Sequence, residues 1–243
     1  MGNDEIDDVV AGVKSSGPKK PEPQADQLVP LCRILERRRE AHGDGVVVVD
    51  CGANIGVHTL TFARHMTGWG SVLAIEAQER IFYALTGNIS LNNHFNARAI
   101  WAAVSDTNGT IEIPRVDYLR PSSFGSVELM PSRHREQIGQ PLDYTSGQGV
   151  PVTMLTLDSL DLQRLDLLKI DVEGMEEKVF RGAARTIAKH KPVIFVEHIK
   201  SDHEAIIRYL RDAGYRLLVL GRNTLALHDD DPVSKEVAVA PSA

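Results

Sequence analysis

Several things are scarce in this chain, and each scarcity excludes something. Two cysteines, Cys32 and Cys51, in 243 residues cannot build a disulfide framework and do not form a C-x-x-C metal pair. Positive charge is not in excess: 27 Lys and Arg face 33 Asp and Glu, for a net charge of -6. That balance is wrong for a protein that gathers nucleic acid or an anionic membrane by bulk attraction. No apolar run approaches the roughly 20 residues of a membrane span. The first residues, MGNDEIDDVV, are acidic where a signal peptide is basic. Ile6 stands where myristoylation wants Ser or Thr. The expectation is a cytoplasmic protein with no nucleic-acid and no membrane partner, its oligomeric state left open.

What is present is material for one core. Hydrophobic residues make up 42% of the chain, enough for a single domain with tails. Residues 1–26 contain SSGPKKPEPQAD, with too little apolar surface to offset the entropy of ordering, so a disordered N-terminal tail is expected. A flexible C-terminal tail is expected over 229–243 on the same ground. The run RILERRRE (33–40) reads as the solvated face of a helix.

Over 27–228, strand-like and helical patterns alternate. Strands are predicted at 46–50, 71–76, 98–104, 165–170, 192–197, 215–220 and 224–228. Several are apolar without alternation, as strands covered on both faces are. Between them fall helical faces such as Phe82, Leu85 and Ile89, or Met175, Val179, Ala183 and Ile187. This repetition predicts an α/β fold with a doubly wound, mostly parallel sheet. The last two strands are joined by GRN (221–223), too short for a crossover, so they form an antiparallel hairpin. Residues of about 105–156 break the rhythm and read as a substrate-loop insertion. Trp101 reads as core.

The stretch VVVVDCGANIGVHT (46–59) carries the first functional signal. In an open parallel sheet, ligands lie outside the carboxyl ends of the strands, so Asp50 is expected to project into that crevice. Gly52 allows a tight turn with close approach to a ligand, Asn54 tolerates unusual backbone angles, and Gly56 lets the next helix pack closely. The second strand ends in Glu76, a carboxylate able to accept both hydroxyls of a ribose. A nucleoside cofactor follows from this. The G-x-G-x-x-G of nicotinamide and flavin enzymes is incomplete, with Val57 at the third glycine, and no G-K-[S/T] phosphate loop follows. S-adenosylmethionine, phosphate-free and carrying an ammonium and a sulfonium, suits an acidic loop better.

DCGANIG (50–56) resembles the D-x-G-A-N-x-G loop of the FkbM-type family of S-adenosylmethionine-dependent methyltransferases. LLKIDVEGMEEKVFRGA (167–183) is similar to that family's I-D-x-E-G-x-E block, and VPVTMLTLDSL (150–160) to its lead-in. The resemblance covers about 45–228. It departs after Glu76, where EAQER replaces a proline-containing E-P-x-P, so adenine-side contacts are expected to differ. The resemblance implies a class I methyltransferase (Rossmann-like) fold and O-methylation of a hydroxyl on a small molecule or sugar. Under it, the expected cofactor-binding residues are Asp50, Gly52, Ala53, Asn54, Gly56, Thr59, Glu76, Ala77, Ala102, Val104 and Asp171.

A hydroxyl nucleophile must lose its proton, which calls for a nearby base. The catalytic candidates are Asp171, Glu173, Glu197 and His198. Asp171 reads as base or as anchor for the cofactor's methionine part, against simple helix N-capping. Glu173 reads as an active-site acid or as a complement to a helix dipole, and His198 as an oriented base or a surface histidine. Ser123, Phe124 and Tyr144 are candidate substrate contacts, against ordinary loop residues. A divalent metal on Asp171, Glu197 and His198 would suit some O-methyltransferase chemistry, but the spacing does not call for it and none is expected. Two other readings stay open: a nicotinamide-dependent oxidoreductase, and a non-catalytic nucleoside-binding protein on the same fold. The acceptor, a small molecule or carbohydrate, is not encoded legibly.

Overall fold

The computed structural model describes residues 24–131, 137–198 and 200–235. Helix α1 (Gln24–His42) leads into β1 (Val46–Cys51), α2 (Val57–His65), β2 (Gly70–Glu76), α3 (Glu79–Leu91) and β3 (Ala97–Trp101). Short β4 (Ala103–Val104), β5 (Gly109–Ile113) and β6 (Val150–Leu155) follow. The second half runs β7 (Leu167–Ile170), α4 (Glu176–Gly182), α5 (Ala184–His190), β8 (Val193–Glu197), α6 (His203–Asp212), β9 (Tyr215–Leu220) and β10 (Asn223–His228). Residues 1–23, most of the expected N-terminal tail, lie outside the described residues, and 24–26 already belong to α1.

Seven strands form one sheet in the order β3-β2-β1-β7-β8-β10-β9. All neighbours are parallel except β10, which runs antiparallel to both β8 and β9. This is the expected doubly wound sheet with its C-terminal hairpin. The chain turns one way after β1 and the other way after β7, so the crevice for a ligand opens where these two adjacent strands end.

Alternation along the strands decides which side chains reach that crevice. Val46 and Val48 pack into one layer with Phe62 and Leu167, and Val49 and Cys51 into the other with Leu168 and Ile170. Successive side chains point to opposite faces. Asp50 and Lys169, opposite each other in register, therefore share the face that holds Val48 and Leu167.

Four local expectations change. The predicted strand 98–104 is two: Ala102 still donates to Glu76 O, but Ala103 and Val104 pair with Met154 and Leu155 in a separate three-stranded sheet, β4-β6-β5. The insertion thus contains a small sheet of its own. Trp101 is 37% exposed, its indole N–H donating to Ala77 O, because it ends an outer strand. The run RILERRRE is helical, yet Arg38 is buried, paired with Asp166 at 3.2 Å and Asp231 at 2.7 Å. Asp231 falls in the expected C-terminal tail, where Val233 and Ser234 are buried too. The chain past β10 is thus held against α1 through a Pro232–Lys235 turn, and residues 236–243 lie outside the described residues. No helix among the described residues is long and apolar enough to cross a membrane.

Candidate active site

The loop after β1 is shaped by close approach. Gly52 has φ +74°, and a Cβ there would sit 1.8 Å from Asp171 O; no other residue fits between the tips of β1 and β7. Asn54 also takes a left-handed φ of +50°. Its backbone N–H donates to Glu76 Oε2 at 2.9 Å, while that of Gln78 donates to Oε1 at 2.8 Å. Glu76 therefore ties both loops together at the tip of β2. Burial pushes its carboxyl up, and these N–H groups oppose the shift.

Between these tips lies a partly open cleft. Gly52, Asn54, Glu76, Asp171 and Glu173 give it a polar wall, and Ala77, Ala102, Val104, Val127 and Leu129 an apolar one. Eight of the residues expected at a cofactor or reaction centre meet here: Gly52, Asn54, Glu76, Ala77, Ala102, Val104, Asp171 and Glu173.

Asp50 does not meet them. Its side chain is 0% exposed, because strand alternation turns it under α2 instead of out of the strand tip. Thr59 Oγ1 donates to its Oδ2 at 2.6 Å, and Lys169 Nζ lies 3.0 Å from its Oδ1 as an ion pair. Burial would raise this carboxyl, but Lys169, His58 and Thr59 outweigh it and hold it below its usual range. Thr59 and Ala53 are likewise buried, and Gly56 caps α2 with its N–H on Ala53 O. These four shape the loop from behind; none of them lines the cleft.

Beside the cleft, Asp171, Glu173 and Glu197 bring one carboxylate oxygen each within 4.8 Å of one another. Asp171 is not a helix cap: α4 begins only at Glu176, with Met175 in the cap position. The turn between them is left-handed at Glu173 (φ +55°) and Gly174 (φ +97°), and it is pinned by buried Glu176, whose Oε1 accepts from Val172 N and Gly174 N. Burial and the Asp171 charge push Glu173 up to about 7 despite its ion pair with Lys200. Burial, Asp171 and Glu173 push Glu197 up to about 8. Lys169 reaches Asp171 Oδ2 at 3.5 Å. Lys200, a proton on Glu197 and Lys169, which is shared with Asp50, only partly offset the three carboxylates, and the rim stays acidic. His198 stands apart: its Nδ1 is 3.1 Å from Thr224 Oγ1 and its ring packs 4.0 Å from that of His203. The Asp171, Glu197 and His198 group weighed for a divalent ion is not assembled.

The insertion roofs the cleft. Gln78 Nε2 donates to Phe124 O at 2.8 Å, and Lys200 Nζ to Ser126 O at 3.2 Å. Gly125, between them, lies so close to Asn54 that a Cβ would come within 2.4 Å of its Nδ2. The Phe124 ring stacks on Tyr118, Ser123 Oγ pairs with Ser126 Oγ, and Tyr144 donates to Glu128 O. Ser123 and Phe124 thus belong to the roof, and Tyr144 braces the segment behind it.

The sequence places this arrangement among known proteins. The family model for the methyltransferase FkbM domain matches residues 50–217. The chain belongs to the FkbM methyltransferase family. It is 27% identical over 158 residues to methyltransferase sdnD of Sordaria araneosa, a match covering 56% of this chain and 59% of that one. The chain thus spans less than two thirds of that relative. Among solved structures it is similar to a methyltransferase FkbM of Methylobacillus flagellatus, with a TM-score of 0.55 and 16% identity, over 76% of this chain and 44% of the other. It also resembles monomeric WbdD, with a TM-score of 0.51 and 12% identity, over 94% and 45% of the two chains. These likenesses bear on fold alone: the sheet is that of a class I methyltransferase.

Family and fold imply S-adenosylmethionine, and the cleft of this member of the FkbM methyltransferase family fits it. The apolar wall suits a purine, Glu76 a ribose, and the Asp171 carboxylate, 34% exposed, a cationic amino-acid tail. Four contributors escaped the sequence reading: Lys169, Glu176, Gln78 and Lys200. Lys169 had a signal, a lone charge inside the apolar strand LLKI, and Glu176 was the last acid of the second motif. Gln78 and Lys200 act through the folded roof and had none.

Proposed function

We propose that this protein is an S-adenosylmethionine-dependent O-methyltransferase acting on a hydroxyl of a small molecule or sugar. The observation that carries this reading is the carboxylate cluster at the cleft's edge, with a proton held on Glu197 up to about pH 8. A base is most effective when its pKa lies near the working pH. S-adenosylmethionine supplies the activated methyl group. Glu197, once ionised, would take the proton of an acceptor hydroxyl lying between it and the methyl donor. Asp171, whose carboxylate lies within 4.8 Å of that of Glu197, orients it and keeps negative charge near the cofactor's cationic end. Glu173 and Lys200 fix the near wall, and the Phe124–Ser126 roof keeps water away. The acidic cluster favours neutral, hydroxylated acceptors over anionic ones, consistent with a sugar or an uncharged metabolite.

The test is incubation with methyl-labelled S-adenosylmethionine and a fractionated metabolite and glycan extract, followed by identification of the labelled product. A labelled methyl ether supports the reading. Label found only on nitrogen or carbon, or no transfer to any fraction, contradicts it.

A further inference from the structure

Lys169 is the buried cation at the centre of the site, and the family reading assigns it nothing. Its side chain is 4% exposed. Nζ makes one hydrogen bond, to Gly52 O at 2.9 Å, and two ion pairs, with Asp50 Oδ1 at 3.0 Å and Asp171 Oδ2 at 3.5 Å. These partners come from three distinct parts of the site: the end of β1, the cofactor loop, and the tip of β7. Gly52 and Asp171 both line the cleft. An ammonium has three N–H donors; this one donates to Gly52 O and sits between two carboxylates as their shared counter-charge.

Register explains the choice of residue. Asp50 and Lys169 are neighbours across β1 and β7, and Asp171 lies two residues further along on the same face. A side chain rooted at 169 can reach both carboxylates only if it is long and ends in a cation. Burial alone would depress the ammonium, yet Asp50 and Asp171 outweigh that and hold it above its ordinary value. A buried pair adds little net stability over an apolar isostere. A lysine buried at this point therefore calls for a role beyond stability.

We propose that Lys169 is the positioning residue of the site, fixing the cofactor loop at Gly52 against the reaction-side carboxylate Asp171 so that cleft and carboxylate cluster keep one geometry. The inference rests on the methyltransferase reading of the cleft. Without the ammonium, Gly52 O loses its donor, Asp171 loses its cationic partner, and the loop is no longer tied to β7 by this side chain. Cofactor affinity then falls even where the protein remains folded.

The experiment measures S-adenosylhomocysteine affinity by calorimetry, well below each protein's melting temperature. It uses wild type, Lys169→Met, the double variant Asp50→Asn/Lys169→Met, and Arg38→Ala as a stability control. Arg38 bridges Asp166, just before β7 begins, and Asp231, at the opposite end of the strand from the cleft. Its loss leaves buried Asp231 without its cation, while Asp166 keeps Arg164, and lowers the melting temperature on the order of 10 °C. The double variant removes both halves of the buried pair and so keeps a folded protein in hand if the single variant fails. Expected are affinities on the order of 30-fold weaker for the Lys169 variants and unchanged for Arg38→Ala. Wild-type affinity in a folded Lys169 variant, or an equal loss in Arg38→Ala, would overturn the proposal. Absence of binding by the wild type would instead count against the cofactor reading itself.

Discussion

At the scale of single residues, this protein separates charges enclosed beneath the loop from charges at the rim of the cleft. Asp50 and Lys169 are enclosed and lock the loop from behind, whereas Asp171, Glu173 and Glu197 face one another at the rim, where burial and crowding raise the proton affinity of Glu173 and Glu197. The proton on Glu197 leads to a kinetic prediction. In the free enzyme kcat/KM should climb with pH to a limb near 8, as Glu197 ionises. Glu197→Gln should lose roughly 100-fold or more in rate and the limb with it, while binding S-adenosylhomocysteine normally. A limb that survives in the variant assigns it to another group. Gly52 makes a second prediction. Because its Cβ would meet Asp171 O at 1.8 Å, Gly52→Ala should cost about 3 kcal/mol or more of stability and abolish cofactor binding. A melting curve matching the wild type would contradict that.

At the scale of elements, the site is a meeting of strand tips under a roof supplied by the insertion. The strands were legible because their apolar runs and the glycines after β1 obey local rules. The hairpin β9–β10 was legible from a turn too short to cross over. A place at a strand end suggests that Asp50 faces the crevice, but alternation within VVVVDC puts it on the face of Val48, beneath α2. The roof was illegible because its contacts join residues tens of positions apart, Gln78 with Phe124 and Lys200 with Ser126, and no local pattern encodes them. Gln78 sits where the family resemblance led to the expectation of E-P-x-P, and it uses both ends of its amide: Nε2 on Phe124 O and Oε1 toward Tyr118 at 3.4 Å. Gln78→Ala should loosen the roof. Stopped-flow mixing with S-adenosylhomocysteine, read by Trp101 fluorescence, should show faster association and faster release by several-fold, with little change in melting temperature. Unchanged rates would mean that the roof does not gate entry.

At the scale of the whole molecule, two ends of one sheet do different jobs. At the amino ends of β1 and β7, Arg38, Arg164, Asp166 and Asp231 bind α1 and the post-β10 turn to the sheet. At the carboxyl ends, raised carboxyls accumulate at the expense of stability. Glu197 and Glu173, near 4.5 when unfolded, are raised to about 8 and about 7 when folded. The folded state therefore binds protons that the unfolded state has released, and this contribution is lost as pH rises through those values. Buried His58, lowered to about 4 from 6.5, acts oppositely, but its effect is complete above about pH 6.5. The ligand-free protein should consequently lose melting temperature between about pH 6.5 and 8.5, and the Glu173→Gln/Glu197→Gln double variant should not. A flat profile for the wild type would remove the raised carboxyls from the account.

The central claim is that a phosphate-free cationic nucleoside belongs in this cleft. Calorimetric titration of the purified protein with S-adenosylmethionine, S-adenosylhomocysteine and NAD tests it most directly. The account predicts one site per chain for the first two, with dissociation constants on the order of micromolar, and no heat from NAD. Saturable uptake of NAD with none of the sulfur nucleosides would contradict it.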